Sequence, residues 1–327
     1  MKTAAGRVLV DAWYNGAWWL WLLRPFEWLF RAIAALRRAA YRCGLIAIYR
    51  PPVPVVVVGN IAVGGTGKTP VVIALVESLQ QQGIIAGVVS RGYGASQNTR
   101  PHVVGEQSEA RDCGDEALLI YRRTACPCVV AASRSAAVRV LLENYQVDLI
   151  ISDDGLHHYA LARDLEIVMY DADSAFGNGL CLPAGPLREP LARLTSVDFV
   201  LGRGSDDPVS GVAYQQDVLV NLASEEERPV STGSIGSSVF AVAGLARPAL
   251  FLEALDKLGF KLEARLYPDH HPYSAADFSG LQEKPIIMTE KDAVKCRGLA
   301  GGDAWYLQIS AVLPTAVVQA VVALAGR

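Results

Sequence analysis

Residues 59–70 set the architecture of this chain and read Gly59-Asn60-Ile61-Ala62-Val63-Gly64-Gly65-Thr66-Gly67-Lys68-Thr69-Pro70. A continuous β-branched run, Val55 to Val58, precedes them, and a helical pattern follows from Pro70 to Gln82. A buried strand, a glycine-rich loop ending in Lys-Thr and a helix form the arrangement in which backbone N–H groups bind phosphate oxygens at a helix N-terminus. The stretch therefore predicts a P-loop that binds a nucleotide.

Each part of this loop has a predicted role. The Lys68 ammonium reaches the β and γ phosphates and takes part in catalysis, and the Thr69 hydroxyl ligates Mg²⁺. One position departs from the strict pattern, because Ala62 stands where that pattern has glycine. A glycine turn with only a structural role is the alternative interpretation. The predicted nucleotide-binding residues are Ala62, Val63, Gly64, Gly65, Thr66, Gly67, Lys68 and Thr69.

A second cluster of polar residues follows the apolar run Val147 to Ile151 and reads Ser152-Asp153-Asp154-Gly155-Leu156-His157-His158. P-loop proteins place a carboxylate at the end of such a strand to hold their Mg²⁺, directly or through water. Asp153 is therefore the predicted metal ligand of this segment. Taken alone, the segment would also suit an ordinary turn at the end of a strand.

Short apolar runs alternate with helical patterns through the middle of the chain. This alternation predicts an α/β fold with a doubly wound, mostly parallel sheet, whose ligands bind at the carboxyl ends of the strands. The predicted helices span residues 70–82, 115–123 and 133–145. The predicted strands span residues 55–58, 84–89, 128–131, 147–151, 165–170 and 197–201.

The chain turns polar and rich in glycine and serine between residues 203 and 236. We place a domain boundary at the end of this stretch. The predicted organisation is an N-terminal helical segment at residues 1–45, a P-loop kinase domain at 46–235, and a smaller α/β domain at 236–327 that closes the active-site cleft.

The first 50 residues form a basic head, with eight Lys or Arg against two acidic residues, and five of the six tryptophans lie in residues 1–28. The longest uncharged run, Ala12 to Leu23, is shorter than the ~20 residues of a spanning helix. Between Arg24 and Arg42 the charges recur at helical spacing, which gathers them on one stripe and leaves Phe26, Leu29, Phe30, Ile33 and Leu36 elsewhere on the helix surface. The pattern predicts an amphipathic helix on a membrane surface; a helix docked on the body is the alternative.

Composition excludes several other classes of protein. The balance of 30 basic and 33 acidic residues argues against a nucleic-acid partner, and 51% apolar residues argue against disorder. Six scattered cysteines without metal-site spacing predict reduced, mostly buried thiols. The Cys126-Pro-Cys128 pair could serve redox or metal chemistry, but packing is the more ordinary interpretation.

Seven segments in register give the chain a resemblance to a known family. It resembles the tetraacyldisaccharide 4′-kinases, the lipid A 4′-kinases. The resemblance implies transfer of the ATP γ-phosphoryl group to the 4′-hydroxyl of a tetraacylated glucosamine disaccharide 1-phosphate. It further implies ATP and Mg²⁺ as cofactors, a peripheral or monotopic place on the cytoplasmic face of a bacterial inner membrane, and no obligate protein partner. The segments are residues 64–70, 90–94, 114–116, 153–158, 182–190, 268–271 and 289–293.

The same resemblance suggests the remaining site residues. Asp115 and His270 are candidate proton acceptors for the sugar hydroxyl, although Asp115 could merely cap its helix and His270 could be a hydrogen-bonded surface histidine. The resemblance implies that they act as a dyad, which we expect to form when the cleft closes. Glu116 joins Thr69 and Asp153 as a predicted metal ligand. The predicted substrate contacts are Arg91, Tyr93, His158 and Arg188.

Two other functions compete with the kinase. A membrane-associated P-loop ATPase switch shares the loop and an amphipathic helix, but such switches carry lysine directly before the two glycines, where this chain has Val63. A P-loop scaffold without turnover would leave the His, Asp and Arg residues of the predicted strand-end loops without a role. Acceptor-dependent consumption of ATP distinguishes the kinase from both.

Overall fold

The computed structural model describes residues 4–95, 100–245 and 247–326. Its helices are α1 (Ala4–Asn15), α2 (Arg24–Arg42), α3 (Lys68–Gln80), α4 (Ala110–Cys113), α5 (Asp115–Thr124), α6 (Arg134–Asn144), α7 (Thr232–Ile235), α8 (Pro248–Lys257), α9 (Glu290–Cys296) and α10 (Thr315–Ala325). Short 3₁₀ helices lie at Trp18–Leu23, Leu191–Ser196 and Ala275–Phe278.

The strands form one continuous sheet. They are β1 (Val55–Gly59), β2 (Ala86–Ser90), β3 (His102–Val103), β4 (Cys128–Val130), β5 (Leu149–Asp153), β6 (Leu165–Asp171), β7 (Phe199–Arg203), β8 (Gly211–Asn221), β9 (Glu227–Pro229), β10 (Ser238–Ala243), β11 (Lys261–Leu266), β12 (Ile286–Thr289) and β13 (Ala304–Val312). The order across the sheet is β11-β10-β12-β13-β8-β7-β6-β1-β5-β2-β4-β3, with β9 paired to β8. Most neighbours are parallel, which confirms the predicted α/β class.

Strand β1 lies at the centre of the first half, between β6 and β5, and its side chains are buried on both faces. Val56 and Val58 pack with α3 on one face, and Val55 and Val57 pack with α6 on the other. Parallel strands covered by helices on both sides are built from such continuous apolar runs. The carboxyl ends of β1, β2 and β5 consequently lie side by side, and the loops that carry the predicted site follow them.

Strand β8 crosses the stretch that the composition marks as a polar connection. Its first residues extend the sheet beyond β7 in parallel, and the rest of the strand pairs antiparallel with β13. The alternation of buried and exposed residues along β8 is the signature of a strand with one covered face. The Gly- and Ser-rich segments on both sides of β8 made this alternation hard to recognise in the sequence.

The second half has its own apolar core, and its last helix returns to the first half. Two clusters of buried side chains surround β10 and β12. Helix α10, by contrast, inserts Val317 and Val321 into the cluster that covers α3. The C-terminal helix therefore packs on the P-loop half of the chain, outside the core of residues 236–313.

The N-terminal head folds as α1, a 3₁₀ turn and α2. No helix among the described residues combines the length and apolarity needed to cross a bilayer. The head has a small core of its own, in which Trp13 is 2% exposed, whereas Trp18 and Trp21 are 79% and 75% exposed. Phe30 likewise packs against the body instead of lying on the outer surface.

Helix α2 is amphipathic with its polar side turned inward. Glu27 is buried, Arg38 is largely covered, and both contact the body of the protein. In contrast to Trp13, Leu20 and Phe30, several large apolar side chains of the head lie outward and are exposed. We call this surface the outer face, and it consists of Trp18, Trp21, Leu22, Phe26, Leu29, Ile33 and Leu36.

Candidate active site

The P-loop folds as the sequence predicts, between β1 and α3. Gly67 precedes α3 in the left-handed region, with φ of 78°, and Gly64 also has positive φ. Glycine adopts these backbone angles without the steric cost that a Cβ would bring. Asn60 holds the loop from inside, because its side-chain amide donates to the carbonyl oxygens of Ala62 and Gly64 at 2.7 and 3.3 Å.

A second loop, residues 178–189, pairs with the outer edge of the P-loop. The Val63 N–H donates to the Pro186 carbonyl at 2.8 Å, and the Arg188 N–H donates to the Ile61 carbonyl at 2.6 Å. The N–H of Val63 is therefore engaged within the protein, and the phosphate-binding role predicted for this residue is not available to that donor. We call residues 178–189 the bracing loop.

The inner part of the P-loop fits an anion. Among the described residues, no protein acceptor meets the N–H groups of Gly64, Gly65, Thr66 and Gly67. The hydroxyl oxygen of Thr66 is buried and also has no hydrogen-bond partner. Unpaired donors at a helix N-terminus are complementary to phosphate oxygens.

Asp154 joins the site, although the sequence argument gave a role to Asp153 and none to Asp154. Its carboxylate lies 3.3 Å from Lys68 Nζ and 3.9 Å from Arg188. Burial would raise the pKa of Asp154, but the charges of Lys68 and Arg188 outweigh it and the pKa is lowered. The positive φ of Asp154, 50°, turns this carboxylate towards the P-loop lysine. The doubled acid after β5 was the signal in the sequence.

Asp153 is buried at the end of β5. Burial, with the neighbouring Asp154 charge, raises the pKa of Asp153 to about 6. Ser90 Oγ lies 3.4 Å from one carboxylate oxygen, and the other oxygen is buried without a partner. A buried carboxylate oxygen that lacks a donor suits a cation.

The residues around Asp153 fit Mg²⁺ bound together with a nucleotide. Asp153, Glu116 and the hydroxyl of Thr69, the second residue of α3, are hard oxygen ligands, and the Glu116 charge is close enough to raise the pKa of Asp153. Glu116 also pairs with Lys291 at 2.9 Å. No group of three or more His, Cys, Asp or Glu with metal-site geometry occurs in the described part of the chain. Few protein ligands are typical of Mg²⁺ held largely by phosphates.

Asp153 costs the fold stability at neutral pH, which gives a first testable prediction. The folded state raises the pKa of Asp153 to about 6, so the ionised carboxylate destabilises the fold above pH 6. Below about pH 4 the folded state keeps this carboxyl protonated, and the cost is absent. We expect Asp153→Asn to raise the free energy of unfolding at pH 8 by up to about 3 kcal/mol, and to have little effect at pH 4. Denaturant unfolding without nucleotide or Mg²⁺ measures this.

The matched control for this prediction is Asp256→Asn on the exposed face of α8, which we expect to change neither value. Reduced stability of Asp153→Asn at pH 8 would mean that ion pairs with Lys68 and Arg134 outweigh the burial of the carboxylate.

Asp115 and His270 are in direct contact across the two halves of the chain. His270 Nδ1 lies 3.1 Å from Asp115 Oδ2. Lys291 Nζ lies 3.4 Å from His270 Nε2. Burial would lower the pKa of Lys291, but the neighbouring acids outweigh burial and the pKa is raised. An ammonium group has only donors, so Nε2 accepts, and Nδ1 carries the proton that is donated to Asp115.

Lys295 completes the surroundings of Asp115, and sequence reasoning missed both lysines. Its Nζ lies 3.2 Å from Asp115 Oδ2 and 3.0 Å from Asp292 Oδ1. Burial would raise the pKa of Asp115, but the His270 hydrogen bond and the two lysine charges lower it. Both lysines lie on α9, and Lys291 is part of the Thr289–Ala293 segment that carried the resemblance.

The predicted substrate residues fall into two groups. Arg91 follows β2, and its charge acts on His158, whose pKa is lowered to about 4 chiefly by burial and then by Arg134 and Arg91. Arg188 lies beside Asp154. Tyr93 lies apart from these, with its exposed ring 5.2 Å from the His270 ring. The structure thus places a basic group near the P-loop and an aromatic ring near the dyad.

Comparison with known proteins shows the family of this chain. The family model described as tetraacyldisaccharide-1-P 4′-kinase, LpxK, matches residues 19–325. The tetraacyldisaccharide 4′-kinase of Pseudomonas aeruginosa strain LESB58 is 48% identical over 307 residues, covering 93% of this chain and 92% of that protein. The enzyme of the same name from Ectopseudomonas mendocina is 49% identical over 313 residues, covering 95% and 94%.

A solved structure agrees in fold as well. The crystal structure of LpxK from Aquifex aeolicus in complex with ATP superposes with a TM-score of 0.81 at 27% identity, covering 93% of this chain and 99% of that one. The chain described here therefore belongs to the tetraacyldisaccharide-1-P 4′-kinase family.

Proposed function

We propose that this chain transfers the γ-phosphoryl group of ATP to the 4′-hydroxyl of a tetraacylated glucosamine disaccharide 1-phosphate, a step of lipid A biosynthesis. The observation that carries the proposal is the contact between Asp115 and His270, which come from the two halves of the chain. Asp115 is also next in sequence to Glu116, a predicted metal ligand. A switch or a scaffold has no need of a buried acid oriented by a histidine. A kinase needs one to accept the proton of its acceptor hydroxyl.

The dyad accounts for proton removal. His270 Nδ1–H and Lys295 both face Oδ2 of Asp115, which leaves Oδ1 to accept the proton of the 4′-hydroxyl. An aspartate with a lowered pKa is a weak base, so it acts late, as the hydroxyl becomes acidic during attack on phosphorus. His270 fixes the orientation of the carboxylate through its Nδ1–H, and the proton taken from the hydroxyl stays on Asp115.

The P-loop and its neighbours account for phosphate binding. Lys68 is held by Asp154 close to the loop, from where its ammonium faces the γ-phosphate of bound ATP. The N–H groups of residues 64–67 bind the remaining phosphate oxygens. Mg²⁺ near Thr69, Asp153 and Glu116 would neutralise the β- and γ-phosphate charge.

The acceptor lies between the two groups of substrate residues. Arg91, Arg188 and the neutral His158 supply hydrogen-bond donors for the sugar and its 1-phosphate, and Arg188 offers the bidentate fork that suits a phosphate. Tyr93 packs a ring against the sugar beside His270. The C-terminal half up to residue 313, without α10, closes over this cleft and brings His270 to Asp115.

The head holds the enzyme on a membrane. Helix α2 exposes a row of large apolar residues to water, which is unfavourable, and contact with an apolar phase would remove this cost. The outer face has aromatic and aliphatic groups suited to the acyl boundary of a bilayer, and the exposed Arg31, Arg37 and Arg42 of α2 suit anionic headgroups. We place the protein on the cytoplasmic face of the inner membrane, where ATP and the lipid acceptor meet.

Point substitutions on the outer face test the membrane role. We expect the double variant Phe26→Ser and Ile33→Ser to weaken binding to anionic phospholipid vesicles at least about tenfold, because each residue contributes ~1–2 kcal/mol of apolar burial. Co-sedimentation measures this. The control is Val209→Ser, an equally exposed apolar residue far from the head in sequence.

Deletion of residues 1–40, the obvious alternative, would also uncover the body beneath Phe30 and the bracing loop. Vesicle binding of the double variant equal to that of the native chain would remove the outer face from membrane attachment.

Dependence of ATP consumption on acceptor tests the kinase against the switch. In detergent micelles we expect the purified chain to consume ATP only when the disaccharide 1-phosphate is present. Equal ATP hydrolysis with and without the glycolipid would favour the switch.

A further inference from the structure

The buried side of the head contacts the bracing loop through two residues with little exposure. The Trp13 side chain is 2% exposed, and its indole N–H donates to the Pro183 carbonyl at 3.0 Å. The backbone of Trp13 accepts a hydrogen bond from the Asn178 N–H, also at 3.0 Å. Helix α1 is therefore joined to the bracing loop at two positions, Asn178 and Pro183.

Glu27 makes the second contact, from α2. It is 1% exposed, and its carboxylate accepts from the Cys181 N–H at 3.4 Å, while Arg31 lies 3.5 Å away on the same helix. A buried carboxylate is costly unless a specific donor meets it. Its burial on a helix with many exposed apolar residues indicates that the contact with the bracing loop requires a carboxylate at this position.

The bracing loop transmits this docking to the P-loop through backbone hydrogen bonds. Within the loop, Leu182 N–H donates to the Leu187 carbonyl and Leu187 N–H donates to the Leu180 carbonyl, so the two limbs move together. Beyond Leu187, the loop pairs with the P-loop through Ala62 and its neighbours. Two hydrogen bonds therefore connect Trp13 to the P-loop through the bracing loop. One runs from the Trp13 indole to the Pro183 carbonyl, and the other runs from the Val63 N–H to the Pro186 carbonyl.

The P-loop has little other support on this side. Gly64 and Gly65 are exposed, and added Cβ atoms there would touch nothing. Glycine-rich backbone loses much conformational entropy when it is ordered around a ligand, and a partner that orders it beforehand raises affinity. The bracing loop is such a partner, and the head contacts it through Trp13 and Glu27.

We propose that Trp13 and Glu27 are positioning residues for the nucleotide phosphates, acting through the bracing loop on the P-loop and on Arg188. The head then has two functions on opposite sides. The outer face meets the membrane, and the buried side orders the ATP site. This inference rests on the proposed function only in taking the P-loop as the ATP site.

The test uses the full-length chain in detergent micelles and measures the Kd for ATP by calorimetry. Trp13→Phe keeps an aromatic ring and removes the N–H donor, and Glu27→Gln keeps the shape and removes the charge. We expect each to raise the Kd for ATP about 5- to 10-fold, because Trp13→Phe loses one buried hydrogen bond and Glu27→Gln loses the charge on the acceptor of another. At saturating ATP and acceptor, kcat should return to the native value, because ATP binding then supplies the order.

Matched controls lie on the same head. Trp28→Phe removes an exposed indole N–H, and Asp11→Asn removes an exposed charge, and we expect neither to change the Kd for ATP. Unfolding temperatures measured in parallel separate the effect from loss of folded protein, since a purely structural role lowers them without changing the Kd of the folded fraction.

The outcomes separate this inference from the kinase assignment. Equal Kd values for the native chain and both variants would overturn the inference and leave the kinase in place. ATP binding that depends on Trp13 and Glu27, in a chain that phosphorylates no glycolipid, would overturn the kinase and support the inference.

Discussion

Replacing Lys68 by alanine should lower the rate of phosphoryl transfer at saturating substrates by on the order of 10³-fold or more. The Lys68 side chain begins α3 directly after the P-loop and pairs with Asp154, and charge stabilisation supplies most of the catalysis in phosphoryl transfer. The loss should appear in kcat as well as in the KM for ATP, because the charge on the transferred group is stabilised during transfer. Initial rates with labelled ATP measure it.

The fold should survive this substitution. Lys68 pairs with Asp154, which retains Arg188 as a more distant partner, so a small change in the unfolding temperature is expected. Lys257→Ala, on the last turn of α8, provides a control whose rate should equal that of the native chain. A Lys68→Ala variant with a near-native rate would remove the P-loop from catalysis.

The dyad gives the second large effect. We expect Asp115→Ala and His270→Ala each to lower kcat by about 10²- to 10⁴-fold, and the double variant to be little worse than the poorer single variant. The reason is that His270 acts on the hydroxyl only through the carboxylate that it orients. Steady-state kcat values of all three variants, compared as a double-mutant cycle, measure the coupling.

A neighbouring histidine provides the control for the dyad. His271 stacks on Tyr267 and lies 3.3 Å from Asp277, away from Asp115, so His271→Ala should leave kcat nearly native. Losses that multiply fully in the double variant would show that Asp115 and His270 act independently. Retained activity in Asp115→Ala would exclude it as the base.

The sequence predicted the fold class and the P-loop because both depend on local patterns. Four consecutive valines predict a strand buried on both faces, and the glycine-lysine-threonine run is read from neighbouring residues. Strand β8 was beyond such reasoning, because its Gly- and Ser-rich flanks are typical of a loop and its pairing with β13 joins positions ~90 residues apart in the chain. Antiparallel pairing of distant strands leaves little trace in local periodicity.

The site was predicted in part for the same physical reason. Asp115 and His270 came from the family resemblance, and the structure places them in contact. The lysines that flank them, Lys291 and Lys295, were not predicted, because their partners lie on α5 and in the 268–271 loop, remote in sequence. The burial of Glu27 was also hidden, since helical periodicity groups charges on one stripe without indicating whether that stripe faces water or protein.

The position of the new phosphate tests the central claim most directly. The purified chain is incubated with ATP, Mg²⁺ and tetraacylated disaccharide 1-phosphate in detergent micelles, and the product is analysed by phosphorus–proton correlation spectroscopy. The account predicts one new phosphate monoester coupled to the 4′ proton of the distal sugar, with the 1-phosphate unchanged. A phosphate added at another hydroxyl or onto the 1-phosphate, or inorganic phosphate as the sole product, would contradict it.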